Sequence, residues 1–122
     1  MTLATVAAGM SEREIIARLN DRCRHGLDRT GRIVITRTCL GTFADSKMAE
    51  LVAQAQILAE VRKFTYPDDD RTERDRGQIE YRGTTVYFQI DAYDADLKWG
   101  SPDPTDASVT RRVMTIMVSE DL

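Results

Sequence analysis

From Thr84 to Asp91 the chain alternates strictly, with Val86, Phe88 and Ile90 on one parity and Tyr87, Gln89 and Asp91 on the other. Successive side chains of a strand point to opposite faces, so this segment requires a sheet with one buried face and one wetter face. The polar row then runs into an aspartate-rich loop, DAYDADLKWGSPDPTD, before a last apolar run from Arg112 to Val118. That loop holds the only tryptophan, Trp99, and the aspartates Asp91, Asp94, Asp96, Asp103 and Asp106. Ordered loops longer than about 12 residues are usually functional, so a site is expected here first.

The remaining elements follow from spacing. Ser11 and Glu14 form an S-x-x-E capping signal, and Ile15, Ile16, Leu19 and Cys23 make a helical stripe that should end by Gly26. Alternation of Ile33 and Ile35 with Arg32, Val34 and Thr36 predicts a short strand from Gly31 to about Cys39 or Gly41. Asp45 or Ser46 should cap a second helix, with Met48, Leu51, Val52, Ala55, Leu58 and Val61 as its apolar stripe. Pro67 lies beyond its end, and TYPDDDRTERDR reads as a solvated loop. Gln78–Tyr81 and Thr85–Asp91 pair as a hairpin around Arg82 and Gly83. The near-continuous apolar run after Arg112 predicts a strand covered on both faces. The expected fold is α+β, with two helices packed on one face of a mainly antiparallel sheet of about four strands. Residues 1–10 read as a flexible N-terminal arm and residues 11–122 as one domain, the commonest size for a single core.

Charge narrows the choice of partners. Up to Phe64 the chain has 10 basic and 7 acidic residues; beyond it the counts are 7 and 13. The acidic half argues against phosphate-backbone binding as the main activity. Direct nucleic-acid binding would need a basic stripe from Arg13, Arg18, Arg22, Arg24, Arg29, Arg32 and Arg37. Cys23 and Cys39 lack C-x-x-C spacing, which argues against a zinc site or a redox pair and for free thiols in a reduced, cytoplasmic protein. The first residues lack the basic and apolar regions of a leader, and no run approaches a membrane span.

Two chemistries compete in the aspartate loop. Asp91, Asp94 and Asp96, with Asp103 and Asp106, are oxygen ligands of the kind that Mg²⁺ and Ca²⁺ take. The D-A-D spacing from Asp94 begins like a calcium loop but fails where Lys98 and Trp99 stand. Alternatively Asp103 and Asp106 cap turns around Pro102 and Pro104, while Asp91 and Asp94 bond to backbone N–H groups or to Arg111 and Arg112. Tyr87, Gln89, Tyr93 and Trp99 offer a recognition surface, since aromatic side chains with one polar end concentrate at interface hot spots. Trp99 is expected to plug the loop onto the core, as a lone tryptophan usually is mostly buried. His25 and Cys23 are two residues apart on a helix and point to different faces, so they are not expected to form a catalytic pair.

Three stretches carry a family resemblance: GRIVITR at Gly31 to Arg37, ILAEVRKF at Ile57 to Phe64, and QIDAYDADLKWGSPDPTDASVTRRVMTIM at Gln89 to Met117. The last is similar to the pattern I-D-x-Y-D-x-D-L-x-x-G-S-x-D-P followed by T-R-x-x-T-I-M. The chain thus resembles domain of unknown function 3768, a family of alphaproteobacteria often encoded on plasmids and other mobile elements. Over Glu73 to Gly77 it departs from the family, whose members tend to carry Glu-His-Asp and an aromatic residue before glycine: Arg74 and Arg76 replace the histidine and the aromatic. An imidazole role for that loop therefore does not carry over. The resemblance implies an accessory protein of mobile DNA, where plasmid-maintenance and anti-defence roles are common, and it names no activity.

Together these readings predict a non-enzymatic protein that binds another macromolecule, a host or defence-system protein, through Tyr87, Gln89, Asp91, Tyr93, Asp94, Asp96, Asp103 and Asp106. No cofactor or membrane is expected, and a homodimer is compatible with the composition. The alternative is a small metal-dependent hydrolase or nuclease that uses Asp91, Asp94 and Asp96 as ligands.

Overall fold

The computed structural model describes residues 9–122; the arm expected at 1–10 lies outside the described residues except for Gly9 and Met10. Helix α1 spans Glu12–Arg24, β1 Arg32–Ile35, α2 Arg37–Phe43, α3 Lys47–Lys63, β2 Arg76–Tyr81, β3 Thr84–Tyr93 and β4 Arg111–Met117, with 3₁₀ turns at Ala107–Val109 and Ser119–Asp121. The sheet has the order β1-β4-β3-β2, antiparallel except for the β1–β4 pair. The fold is α+β, with a mostly antiparallel open sheet, and three helices where two were expected.

Capping chemistry sets the helix starts. The Ser11 hydroxyl accepts from Glu14 N at 3.1 Å and Ser46 accepts from Ala49 N at 3.2 Å, each satisfying an otherwise orphaned N–H. Helix α1 stops at Gly26, whose φ of +75° is the left-handed conformation glycine takes most readily. The strand expected to run to Cys39 stops at Ile35. Thr36 accepts from Cys39 N at 3.0 Å and starts α2, a helix whose cap was hidden inside an alternating pattern. Arg82 and Gly83, at φ +49° and +80°, close the β2–β3 hairpin in the doubly left-handed turn that suits a two-residue loop.

The core lies between the helices and one sheet face. Ala53, Ile57 and Val61 of α3 are fully buried, as are Val86, Met114, Ile116 and Val118, with Phe88 and Ile90 almost so. Burying each larger apolar side chain contributes about 1.5–3 kcal/mol. Phe64 meets Phe88 edge-on at 5.3 Å between centroids. The sequence stripe on α3 is displaced: Val61 does face the core, and Leu58 packs partly against it, but Met48, Leu51, Val52 and Ala55 are exposed. Ala53, Ile57 and Val61, four residues apart, make the row that meets the sheet instead. Strand β4 is likewise one-sided, contrary to its apolar run. Arg112, Met114 and Ile116 are buried, whereas Arg111, Val113, Thr115 and Met117 are half-buried.

Candidate functional site: the outer sheet face and the aspartate loop

One parity of β3 supplies the outer face. Tyr87, Gln89, Asp91 and Tyr93 are half-buried while Val86, Phe88 and Ile90 between them are buried. The register sets Tyr87 opposite Met117, Gln89 opposite Thr115, Asp91 opposite Val113 and Tyr93 opposite Arg111. On β1, Arg32 and Val34 continue the rows beyond Val113 and Thr115, and on β2 Arg76 sits across from Gln89. Side chains directly across a strand pair share a face, so these residues form one continuous surface. Gln89 Nε2 donates to Asp91 Oδ1 at 3.2 Å, which fixes both polar groups along the strand.

The loop beyond Tyr93 is held by its own backbone bonds. Asp94 N donates to Trp99 O at 2.8 Å, Lys98 N donates to Asp94 Oδ1 at 2.9 Å, and Leu97 takes φ +61° at the tip. Tyr93 bridges to Gly100, and Ser101 N donates to Ala92 O at 3.0 Å. The tip from Asp94 to Trp99 is therefore a tight extension of β3. Trp99 is 74% exposed, which overturns its expected role as a plug. The plug position is unnecessary because backbone bonds, rather than an aromatic wedge, hold this loop.

The other aspartates divide by role. Asp103 Oδ1 accepts from Thr105 N at 3.1 Å and Thr105 Oγ1 at 2.6 Å; Asp106 Oδ1 accepts from Ser108 N at 2.9 Å and Ser108 Oγ at 2.6 Å. Both cap turns as the local chemistry of Asx residues suggests. The bonds from Ser108 hold the Asp106 carboxyl below the usual carboxylate range. Asp96 is exposed at the tip. Among the described residues no three His, Cys, Asp or Glu side chains are grouped to hold a metal ion, so Asp91, Asp94 and Asp96 do not converge into a ligand set.

Sequence reasoning missed the buried polar network behind the loop. Arg112 is 2% exposed; its Nε donates to Asn20 Oδ1 at 2.8 Å and its Nη2 to Pro104 O at 2.6 Å. Asn20 Nδ2 in turn donates to Glu73 O at 2.9 Å, so one side-chain chain ties the aspartate loop to the acidic 65–75 loop. Burial lowers the Arg112 pKa, with Asp28 and Glu73 opposing. The parity of Arg112 with Met114 and Ile116 was the available signal, since it places this arginine on the buried face.

Nearby, Arg24 Nη1 donates to Val61 O at 3.0 Å and Phe64 O at 2.7 Å, closing the C-terminus of α3. Asp21 pairs with Arg24 at 3.2 Å and with Arg74 at 2.6 Å. Arg24 and Arg74 line an open cleft of about 420 Å³ with Arg62, His25, Phe64 and Tyr66, which shares no residue with the aspartate loop. Their bonds to the helix end and to Asp21 give the buried Arg24 and the half-buried Arg74 a structural role. Cys23 is buried and His25 exposed, so the two point apart as expected. Burial pushes both thiols, Cys23 and Cys39, up to about 11. Neither thiol is ionised at neutral pH, which suits packing rather than nucleophilic attack.

No helix among the described residues is long and apolar enough to cross a membrane. No curated protein and no solved structure matches this chain. The family described as "Protein of unknown function (DUF3768)" matches residues 38–121, a span that includes α3, the hairpin, the aspartate loop and β4. That match covers well over half of the 122 residues, and the chain belongs to the DUF3768 family.

Proposed function

We propose that this chain is a non-enzymatic binding protein that engages another protein through the outer face of its sheet and the Asp94–Asp106 loop. The observation that carries this reading is the solvent-facing row of Tyr87, Gln89, Asp91 and Tyr93, continued by a tightly bonded tip with Trp99 in solvent. Trp99, 74% exposed in the loop, adds little to the core. Rigid aromatic side chains with polar ends are the groups that anchor protein interfaces. Asp96 and the edges of the loop would form the polar rim, and Asp103 and Asp106 act by shaping the loop rather than by touching the partner.

The family resemblance adds a setting: a cytoplasmic accessory protein of a mobile element, directed at a host or defence-system protein. Tagged protein captured from an alphaproteobacterial lysate should retain a stoichiometric protein that the Tyr87→Ala/Trp99→Ala variant loses while still melting cooperatively as a folded chain. Equal recovery by both proteins would sink the reading. Addition of millimolar Mg²⁺, Mn²⁺ or Ca²⁺ is expected to leave the melting temperature unchanged, because a specifically bound ion must stabilise the folded state. A clear rise would instead favour a metal-dependent activity.

A further inference from the structure

Helix α3 is apolar on two opposite sides. Ala53, Ile57 and Val61 face the sheet, fully buried, while Met48, Leu51 and Val52 are 71%, 58% and 44% exposed. At 3.6 residues per turn, Met48, Leu51, Val52, Ala55 and Ala59 form one stripe on the side away from the core. A helix with two apolar seams belongs between two layers, and among the described residues the second seam is bare.

We infer that this seam seats the same helix of a second copy of the chain, packed antiparallel about a two-fold axis near Val52 and Ala55. Two features of the stripe select this occupant. Side-chain size falls along it, from Met48, Leu51 and Val52 at the N-terminal half to Ala55 and Ala59 at the C-terminal half. Antiparallel pairing sets large against small at two seam positions, with Met48 across from Ala59 of the other copy and Val52 across from its Ala55; parallel pairing would set Met48 on Met48 and alanine on alanine. Charge falls into place in the same register. Asp45 precedes the helix and Arg62 lies near its end, its guanidinium resting against Gly26 at the rim of the cleft, and neither has an ion-pair partner among the described residues. The two-fold brings each Asp45 to the Arg62 of the other copy, and it opposes the helix dipoles.

A single helix pair is a small contact beside the about 800 Å² per partner of a standard interface, so the dimer is expected to be a weak, reversible one. The seam lies on the helical layer, across the core from the outer sheet face. Dimerisation therefore leaves Tyr87 and Tyr93 free, and the two readings stand or fall separately.

Sedimentation equilibrium of the full chain from about 1 to about 100 µM tests this directly. The expected result is a reversible rise from the 13.8 kDa chain mass toward twice that value. Leu51→Glu should weaken association about tenfold or more, while at concentrations where both chains are monomeric it melts no lower, because Leu51 is exposed in the monomer. Asp45→Arg and Arg62→Asp should each weaken it in low salt, and an equimolar mixture of the two variants should regain it as a heterodimer. A chain that stays at its monomer mass throughout the range would overturn the inference. Association indifferent to Leu51→Glu, or two charge variants whose mixture gains nothing, would do the same.

Discussion

Arg112 Nε donates to Asn20 Oδ1 at 2.8 Å across 92 residues of sequence, and both side chains are almost wholly buried. Among the described residues no carboxylate is bonded to this guanidinium, and Asn20 and the Pro104 carbonyl are its hydrogen-bond partners. A buried cation that loses such a partner costs far more than a surface bond. Asn20→Ala should destabilise the fold by about 3 kcal/mol in urea unfolding. Amide exchange should rise in both the 65–75 and 101–110 segments, because Asn20 Nδ2 also donates to Glu73 O. Replacing both partners with apolar residues, as Asn20→Leu with Arg112→Met, should cost less than the sum of the single changes.

Gly77 lies directly across β2–β3 from Phe88, and a Cβ there would press into the buried ring, with Cε1 at 2.8 Å. Gly77→Ala should therefore destabilise by about 1–3 kcal/mol, the usual penalty of overpacking. Thermal melting against the parent chain measures it.

Trp99 offers an intrinsic optical probe, since the chain has no other tryptophan. With 74% of the residue exposed, emission should be red-shifted and freely quenched by acrylamide in the free protein, and shielded once a partner binds the loop. Trp99→Ala should change stability by less than about 0.5 kcal/mol, as for other surface sites.

Stability should fall on the alkaline side. The thiols of Cys23 and Cys39 ionise near 9.0 in the unfolded chain and at about 11 when folded, chiefly because burial disfavours the thiolate. A folded pKa raised above the unfolded one leaves stability intact below pH 9 and removes it as pH climbs toward 11. Tyr66, pushed up from 10.0 to about 12 by burial, extends the decline. Melting temperature should drop progressively above pH 9, and a Cys23→Ala/Cys39→Ala variant should show a shallower drop, although less stable at neutral pH.

The parts of the fold legible in the sequence were those set by local chemistry. Ser11 and Ser46 caps, the Gly26 stop and the Arg82–Gly83 turn all stand where their residue types require. So do the alternation of β3 and its split into core and solvent rows. What failed depends on packing between distant elements. The seam of α3 that faces the sheet is anchored by Ala53, whose small side chain gave little hydrophobic signal, whereas Met48 and Leu51 gave much and face outward. Helix α2 was missed because Thr36 ends an alternating run and caps a helix of only seven residues. Parallel pairing of β1 with β4 joins segments about eighty residues apart, beyond the reach of any periodicity. Of the candidate site, Tyr87, Gln89, Asp91 and Tyr93 do share one surface, while Asp103 and Asp106 turn inward on their own loop.

The family segment begins at residue 38, after α1 and β1, and this has a bearing on where the folding unit begins. Excision of residues 38–121 would strip β4 of its parallel neighbour, remove Asn20 from Arg112 and Arg24 from the end of α3, and leave the sheet with a raw inner edge. The shared sequence signature and the cooperative unit are thus of different extent: the N-terminal third carries little of the signature, yet it neutralises the polar interior that the signature creates.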